Sequence, residues 1–382
     1  MNEMACTVDT IEKKQVGDLK IALVHDYLNQ FGGAERCLEA LHELFPQAPI
    51  FTLVYDKRAL PAYESWDIRP SLLQYAPGAK QHYQYYLWSF PLVVKTFDVQ
   101  DFDIIISISH AWVKGIRTNT RPHISYCLTP IRYAWDLYEE YATHEYIPAV
   151  VRKCLPLIAK CLRTWDKKQA QGVDQFIAVS ETVAKRIANY YGRTAEVIYP
   201  PVDTGFYCIN KEVQREDFYI TVSRLKAYKR IDLVIETFNR LGYPLKVIGS
   251  GPELKRLQKR AKGNVSFLTH LNHNEVLNYY QKAKGFVFAG VEDFGLVMAE
   301  AQATGLPVIA YGKGGATEIV EDGISGVLVP HQTAEDFVEA IQRFEAMTFV
   351  VEKVRAASYR FDRTQFKNKI SNFVMKYVGK SS

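Results

Sequence analysis

Between Tyr219 and Val329 the chain repeats one local pattern: a short apolar run, a polar or glycine-rich turn, then apolar residues at helical spacing. Strands are expected at Tyr219–Val222, Leu245–Ile248, Val265–Leu268, Gly285–Ala289, Pro307–Ala310 and Gly326–Val329. Helices are expected between them at Ile231–Arg240, Glu253–Lys262, Glu275–Lys282, Gly295–Ala303 and Ala316–Glu321. Continuous apolar runs suit strands buried on both faces, and strands separated by helices pair in parallel. Such a chain fits a doubly wound α/β sheet and little else.

The same pattern opens the chain. Lys20 to His25 is an apolar run, Gly32 and Gly33 form a turn, and Ala34–Phe45 presents Leu38, Leu41 and Phe45 on one face before Pro46 stops it. Further strands are expected at Ile50–Val54, Ile104–Ser109, Ile124–Cys127 and Gln175–Val179. The stiff stretch Tyr199-Pro-Pro-Val-Asp203 reads as a connection between domains. The expectation for 382 residues is therefore a tail at 1–18, one Rossmann-like domain at 19–200 and a second at 201–357, facing one cleft. Ligands of such sheets lie at the carboxyl ends of the strands.

Several classes drop out. No apolar run approaches the roughly 18 to 20 residues of a membrane span, and the first 17 residues lack the apolar core of a signal peptide. The balance of 47 basic and 42 acidic residues, +5, is too mild to imply nucleic acid. Six scattered cysteines without CxxC spacing suit reduced thiols in the cytosol. No spacing resembles a metal site. Neither GxGxxG nor GxSxG occurs, which argues against a dinucleotide-binding fingerprint and an α/β-hydrolase.

The most informative segment is Glu292-Asp293-Phe294-Gly295-Leu296-Val-Met-Ala-Glu300, at a strand-to-helix junction. Phe294, Gly295 and Leu296 would offer free N–H groups at a helix start, the default place for a phosphate. Glu292 and Glu300, two turns apart, could touch one extended ligand; the plain alternative is a helix-favouring acid and a solvated one. Arg224 and Lys229 follow the first strand of the second half, and a guanidinium fork with a point charge suits a diphosphate. A solvated basic loop is the alternative. Gly249 ends another strand, where glycine lets backbone approach a ligand, and Gly32 and Gly33 do the same in the first half. His110 and His25 end strands and point toward the presumed cleft; His123 precedes its strand and reads as peripheral.

Two stretches mix basic and apolar residues. Lys80 to Lys95 clusters aromatics between lysines. Val151 to Lys168 sets Arg152, Lys153, Lys160 and Arg163 against an apolar face of Leu155, Ile158, Leu162 and Trp165. Either an anionic membrane surface or ordinary core packing would explain that helix.

In combination, Glu292 with Glu300, Arg224 with Lys229, and Gly32-Gly33 resemble glycosyltransferase family 4, of GT-B architecture, over roughly residues 19 to 375. His25-Asp-Tyr-Leu, Gly-Gly-Ala-Glu35-Arg, Ser109-His-Ala-Trp-Val-Lys-Gly115, Thr129-Pro-Ile-Arg-Tyr-Ala-Trp-Asp136 and Tyr311-Gly-Lys-Gly-Gly are similar, more narrowly, to mannosyltransferases of bacterial polysaccharide assembly. The resemblance implies a retaining enzyme using GDP-mannose and a polyprenyl-diphosphate-linked saccharide, without metal or other cofactor, cytoplasmic or peripheral on the inner face of the plasma membrane. It implies that Arg224 and Lys229 hold the donor diphosphate, Glu300 the ribose and Glu292 the sugar hydroxyls, with Gly33 near the phosphate. His110 joins Arg224, Lys229 and Glu292 in the expected catalytic set, and Gly32, Gly249, Asp293, Phe294, Gly295 and Leu296 join the donor-binding set. Relatives often carry His where this chain has Leu128, which bears on donor geometry and acceptor choice. The C-terminal helix, within 358–382, would return to the first domain. A nucleotide-sugar 2-epimerase and a non-catalytic nucleotide-sugar-binding subunit are the rival readings. Guanine and mannose rest on the narrower likeness alone.

Overall fold

The computed structural model describes residues 19–136, 138 and 149–381, so the expected tail at 1–18 lies outside the described residues. The chain divides into two compact units: residues 1–198 with 366–382, and residues 199–365.

In the first unit the strands are β1 (Ile21–His25), β2 (Ile50–Thr52), β3 (Ile68–Pro70), β4 (Ile104–Ser109), β5 (His123–Cys127), β6 (Gln175–Ala178) and β7 (Ala195–Val197). They form one sheet in the order β3-β2-β1-β4-β5-β6-β7, every pair parallel. All residues of β1 and β4 are buried, as central strands covered on both faces must be. Its helices include α1 (Gly33–Leu44), α2 (Ala149–Ala170) and α3 (Glu181–Tyr191). The Ser180 hydroxyl caps α3 by accepting from Val183 N–H, and Gly192 ends it in the left-handed region.

In the second unit β8 (Tyr219–Val222), β9 (Leu245–Ile248), β10 (Val265–Leu268), β11 (Gly285–Phe288), β12 (Val308–Tyr311) and β13 (Gly326–Val329) pair in the order β10-β9-β8-β11-β12-β13. The helices are α4 (Ile231–Leu241), α5 (Leu254–Arg260), α6 (His273–Lys282), α7 (Leu296–Ala303), α8 (Ala316–Ile319), α9 (Ala334–Glu345), α10 (Val351–Ser358) and α11 (Arg363–Ser381). The last runs out of this unit, and residues from 366 onward group with the first one. The Pro-Pro connection pairs with the start of α11: Val202 N–H donates to Phe361 O at 2.8 Å and Arg363 N–H to Val202 O at 3.0 Å.

Both sheets reverse their strand order once, between β1 and β4 and between β8 and β11. In each sheet this reversal is the switch point at which ligands of such sheets lie; Asp26 and His110 follow the first pair of strands, and Arg224, Lys229 and Glu292 the second.

The basic helix α2 settles between its two readings unevenly. Leu162 and Trp165 pack against the first unit's core, with the Trp165 ring 5.1 Å from Trp112. Ile158 stays 44% exposed and Leu157, off the expected face, 66% exposed. Arg163 is no free cation: its Nε donates to Ala134 O and its guanidinium covers the rings of Trp135 and Tyr138. Arg152 and Lys153 lie outside the described side chains. Among the described residues no helix is long and apolar enough to cross a membrane.

Candidate active site

In the second unit, β8 ends at Val222 and the chain crosses the sheet end to a single tight turn at Ala227–Lys229. Arg230 then adopts a left-handed φ of 54° to enter α4. That posture is held by its guanidinium, which donates to Gln332 Oε1 at 3.0 Å, while the Gln332 amide donates to Ala289 O at 2.7 Å. Gly290, just past β11, lies under Lys229: a Cβ there would stand 3.0 Å from Lys229 O. The outcome is a contact between the Lys229 ammonium and Glu292 Oε1, with side chains only 11% and 15% exposed. Arg224 is exposed, and among the described residues it pairs with no carboxylate. Burial and the Arg224 charge together push the neighbouring Lys226 ammonium below its ordinary range.

Glu292 is fixed from its backbone. Gly315 N–H donates to Glu292 O at 2.9 Å, and Gly314, at φ 66°, bridges to it as an added strand would. A Cβ on Gly315 would fall 1.9 Å from Phe294 O. The Gly312-Lys-Gly-Gly315 turn therefore packs on the Glu292 segment itself, and its glycines serve protein–protein approach. Gly249 has the same explanation. At φ 137° its Cβ would fall 1.9 Å from Ser223 O, and Leu225 N–H donates to Ser250 O at 2.8 Å, clamping the Arg224 loop.

Gly295 leads into α7 at φ 105°. Among the described residues no protein acceptor meets the N–H groups of Phe294, Gly295 or Leu296, so the helix start offers open donors. The Phe294 ring is buried with Tyr199 at 5.7 Å and Phe361 at 5.0 Å, leaving its backbone as the usable part. Asp293 is half-buried. Glu300 is 3% exposed, with the Tyr280 hydroxyl 3.5 Å from its Oε2, which removes the solvated alternative for it.

In the first unit the carboxyl ends of β1 and β4 meet through Asp26, a residue the sequence reading passed over. One Asp26 oxygen accepts the N–H groups of His110 and Ala111 at 2.8 and 2.9 Å, the other those of Trp112 and Val113 at 2.7 and 3.0 Å. Burial alone would raise this carboxyl, but the His110 charge and these N–H donors outweigh it and hold it below the usual range. The His110 ring, 34% exposed, brings Nδ1 to 3.2 Å from Asp26 Oδ2. His25 is fully buried, its pKa pushed down to about 3 by burial first and the His110 charge second, so it stays neutral. Its Nε2 lies 3.8 Å from Glu35 Oε1, and Gly32 supports Glu35, whose Oε2 is 3.3 Å from where a Cβ on Gly32 would stand. Gly33 is the first residue of α1. Leu128 follows β5 and its N–H donates to Ser109 O at 2.8 Å, a backbone role that any residue can fill.

His123 is not peripheral: it begins β5 fully buried, with Ser107 Oγ 2.8 Å from its Nε2 and its pKa pushed by burial down to about 3. A second buried cluster also escaped the sequence. Lys114 Nζ meets Asp166 Oδ1 at 2.6 Å with both side chains fully buried, and Asp166 Oδ2 accepts from Trp135 at 2.9 Å and Tyr191 at 2.7 Å. The available signal was Asp166 itself, the lone acid in a basic helix.

Residues 31–206 match the family model described as Glycosyltransferase Family 4, and residues 209–360 match that of Glycosyl transferases group 1. A probable sucrose-phosphate synthase of Thermosipho melanesiensis is 29% identical over 228 residues, 52% of this chain and 52% of its own length. A GDP-mannose-dependent alpha-(1-6)-phosphatidylinositol monomannoside mannosyltransferase of Mycobacterium tuberculosis is 27% identical over 217 residues, 49% of this chain and 55% of its own. The chain spans about half the length of the curated relatives it matches. Among solved structures, Anabaena Alr3699/HepE in complex with UDP and glucose superposes with a TM-score of 0.70 at 19% identity, covering 93% of this chain and 99% of that one. The two parallel-sheet Rossmann-like units have the GT-B fold of their structural neighbours, and the first half of the chain is similar to family 4 glycosyltransferases, the second to group 1 glycosyl transferases.

Proposed function

We propose that the protein is a retaining glycosyltransferase that moves mannose from GDP-mannose onto a saccharide carried on polyprenyl diphosphate. The observation that carries this reading is the Lys229–Glu292 contact, set beside Arg224, which among the described residues pairs with no carboxylate, and the N-terminus of α7. Transfer from a nucleotide sugar breaks the bond between the anomeric carbon and a phosphate oxygen, and the diphosphate gains negative charge. Two cations and fixed N–H donors stabilise that charge without reorganising, the kind of interaction that contributes most to many enzymes. Glu292, beside Lys229, would accept hydroxyl hydrogens of the sugar. The new bond forms on the face the phosphate leaves, and the acceptor's hydroxyl proton passes to the departing phosphate oxygen.

The family domains support transfer as the reaction class. Mannose and guanine draw on the motif likeness and on the name of the mycobacterial relative, while the synthase relative makes other donors the natural controls. Two measurements test the reading. The purified protein should gain most thermal stability from GDP-mannose across a panel of nucleotide sugars. With labelled GDP-mannose and a lipid extract, label should move to the lipid fraction. A larger shift with a uridine donor would overturn the donor. Isomerised donor would mean a 2-epimerase, and binding without turnover a sugar-nucleotide-binding subunit.

A further inference from the structure

From Ile68 to Phe97 the chain contains no aspartate or glutamate, yet it holds Arg69, Lys80 and Lys95. The segment folds as consecutive short turns, Leu72–Tyr75, Ala79–His82, Tyr83–Tyr86 and Phe90–Val93, with Leu73, Ala79, Phe90 and Val94 turned into the core of the first unit. Tyr83, Tyr86, Leu87 and Val93 pack partly against that core, whereas five large side chains face solvent: Leu72 is 78% exposed, Tyr75 81%, Tyr85 77%, Trp88 77% and Leu92 67%. Single exposed apolar residues are ordinary, but five large ones in one short stretch mark an interaction surface. The composition says which kind. Trp and Tyr mixed with Leu, flanked by lysines and free of acids, suit a headgroup layer, where the rings meet the acyl boundary and the ammonium groups meet phosphates. Arg69 is spent on Asp67, at 2.7 Å, so Lys80 and Lys95 carry the positive charge.

We propose that this surface seats the protein on a bilayer containing anionic lipid. The surface adjoins the first unit's candidate residues. The Tyr83 ring stacks on Tyr27 at 4.2 Å, Tyr27 lies 5.5 Å from the His110 ring, and the Asn29 amide donates to Lys80 O at 3.2 Å. A substrate held in that bilayer would thus be delivered one aromatic layer from Asp26 and His110. The seating is independent of which donor the second unit takes.

Full-length protein is sedimented with phosphatidylcholine vesicles, with and without phosphatidylglycerol. Binding to the anionic vesicles is expected, weakened by salt. The triple variant Leu72→Glu, Trp88→Glu, Leu92→Glu should lower partitioning at least about tenfold, since each change replaces an inserting side chain by a charge. These positions are exposed, so the thermal transition and nucleotide binding should not move; Trp88→Ala alone gives a milder check with the same sign. Equal sedimentation of variant and wild type overturns the proposal, as does wild type that ignores both vesicles. A wild-type dimer that the variant converts to monomer also overturns it, and assigns the surface to self-association.

Discussion

Replacing Glu292 by Gln should have opposite effects on binding and on turnover. The Lys229 charge is engaged by Glu292, with both side chains about nine-tenths buried. An incoming diphosphate must compete for that ammonium and also approaches the carboxylate's negative charge. Unit charges about 4 Å apart interact by about 4 kcal/mol at an effective dielectric near 20. Desolvation and side-chain ordering take back most of this, leaving about 1 to 2 kcal/mol for a pair of this kind. Glu292→Gln keeps the shape and removes the charge, so GDP should bind about 5- to 30-fold more tightly. Sugar transfer should nonetheless fall at least about a hundredfold, because the hydroxyl acceptor weakens while the phosphate cations remain. Titration calorimetry with GDP, beside initial rates with GDP-mannose, separates the two effects. If Glu292→Gln weakens GDP binding as much as removing Lys229 does, the competition between carboxylate and phosphate is refuted.

Lys229→Ala should fold and lose at least about a hundredfold in kcat, removal of one such donor costing about 3 to 4 kcal/mol; a near-normal rate at saturating donor would refute the phosphate role. Gly315→Ala, whose Cβ would overlap Phe294 O, should displace the Glu292 segment and lower both the melting temperature and activity, whereas Gly263→Ala, with open space around its Cα, should leave both unchanged. His25 and His123 are held neutral with pKa values near 3, below the 6.5 of the unfolded chain. Unfolding therefore takes up protons as pH falls below about 6.5, and stability present above that value is lost toward pH 3. With two such groups the slope is about 2.7 kcal/mol per pH unit near pH 5; calorimetry of the first unit's transition from pH 7.5 to 5 should show it, and His123→Asn should roughly halve it. Absence of any destabilisation on acidification would mean that the two rings do not stay neutral.

The alternation of strands and helices was readable because burial on both faces demands continuous apolar runs, and these are local. The two edge strands of the first sheet were not: Ile68–Pro70 and Ala195–Val197 are three residues long and half-exposed, so they carry little apolar signal. The glycines divide in the same way. Gly295 belongs to a helix start that sequence describes, whereas Gly249 and Gly315 owe their identity to segments 26 and 21 residues away, Ser223 and Phe294.

What the sequence determined alone was the local chemistry: which runs are strands, which junctions are glycine turns, and which acids and cations stand at strand ends. Only the tertiary structure decided who meets whom. Lys229 and Glu292 are 63 residues apart, and Asp26 and the His110 amide 84. They touch because each sheet reverses its strand order and brings two distant strand ends side by side. Nothing in the spacing of residues along the chain encodes which strands will be neighbours. Pairing is chosen by the summed burial of the whole sheet, and so the partners of Glu292 and of Asp26 could be read only once that sheet was formed.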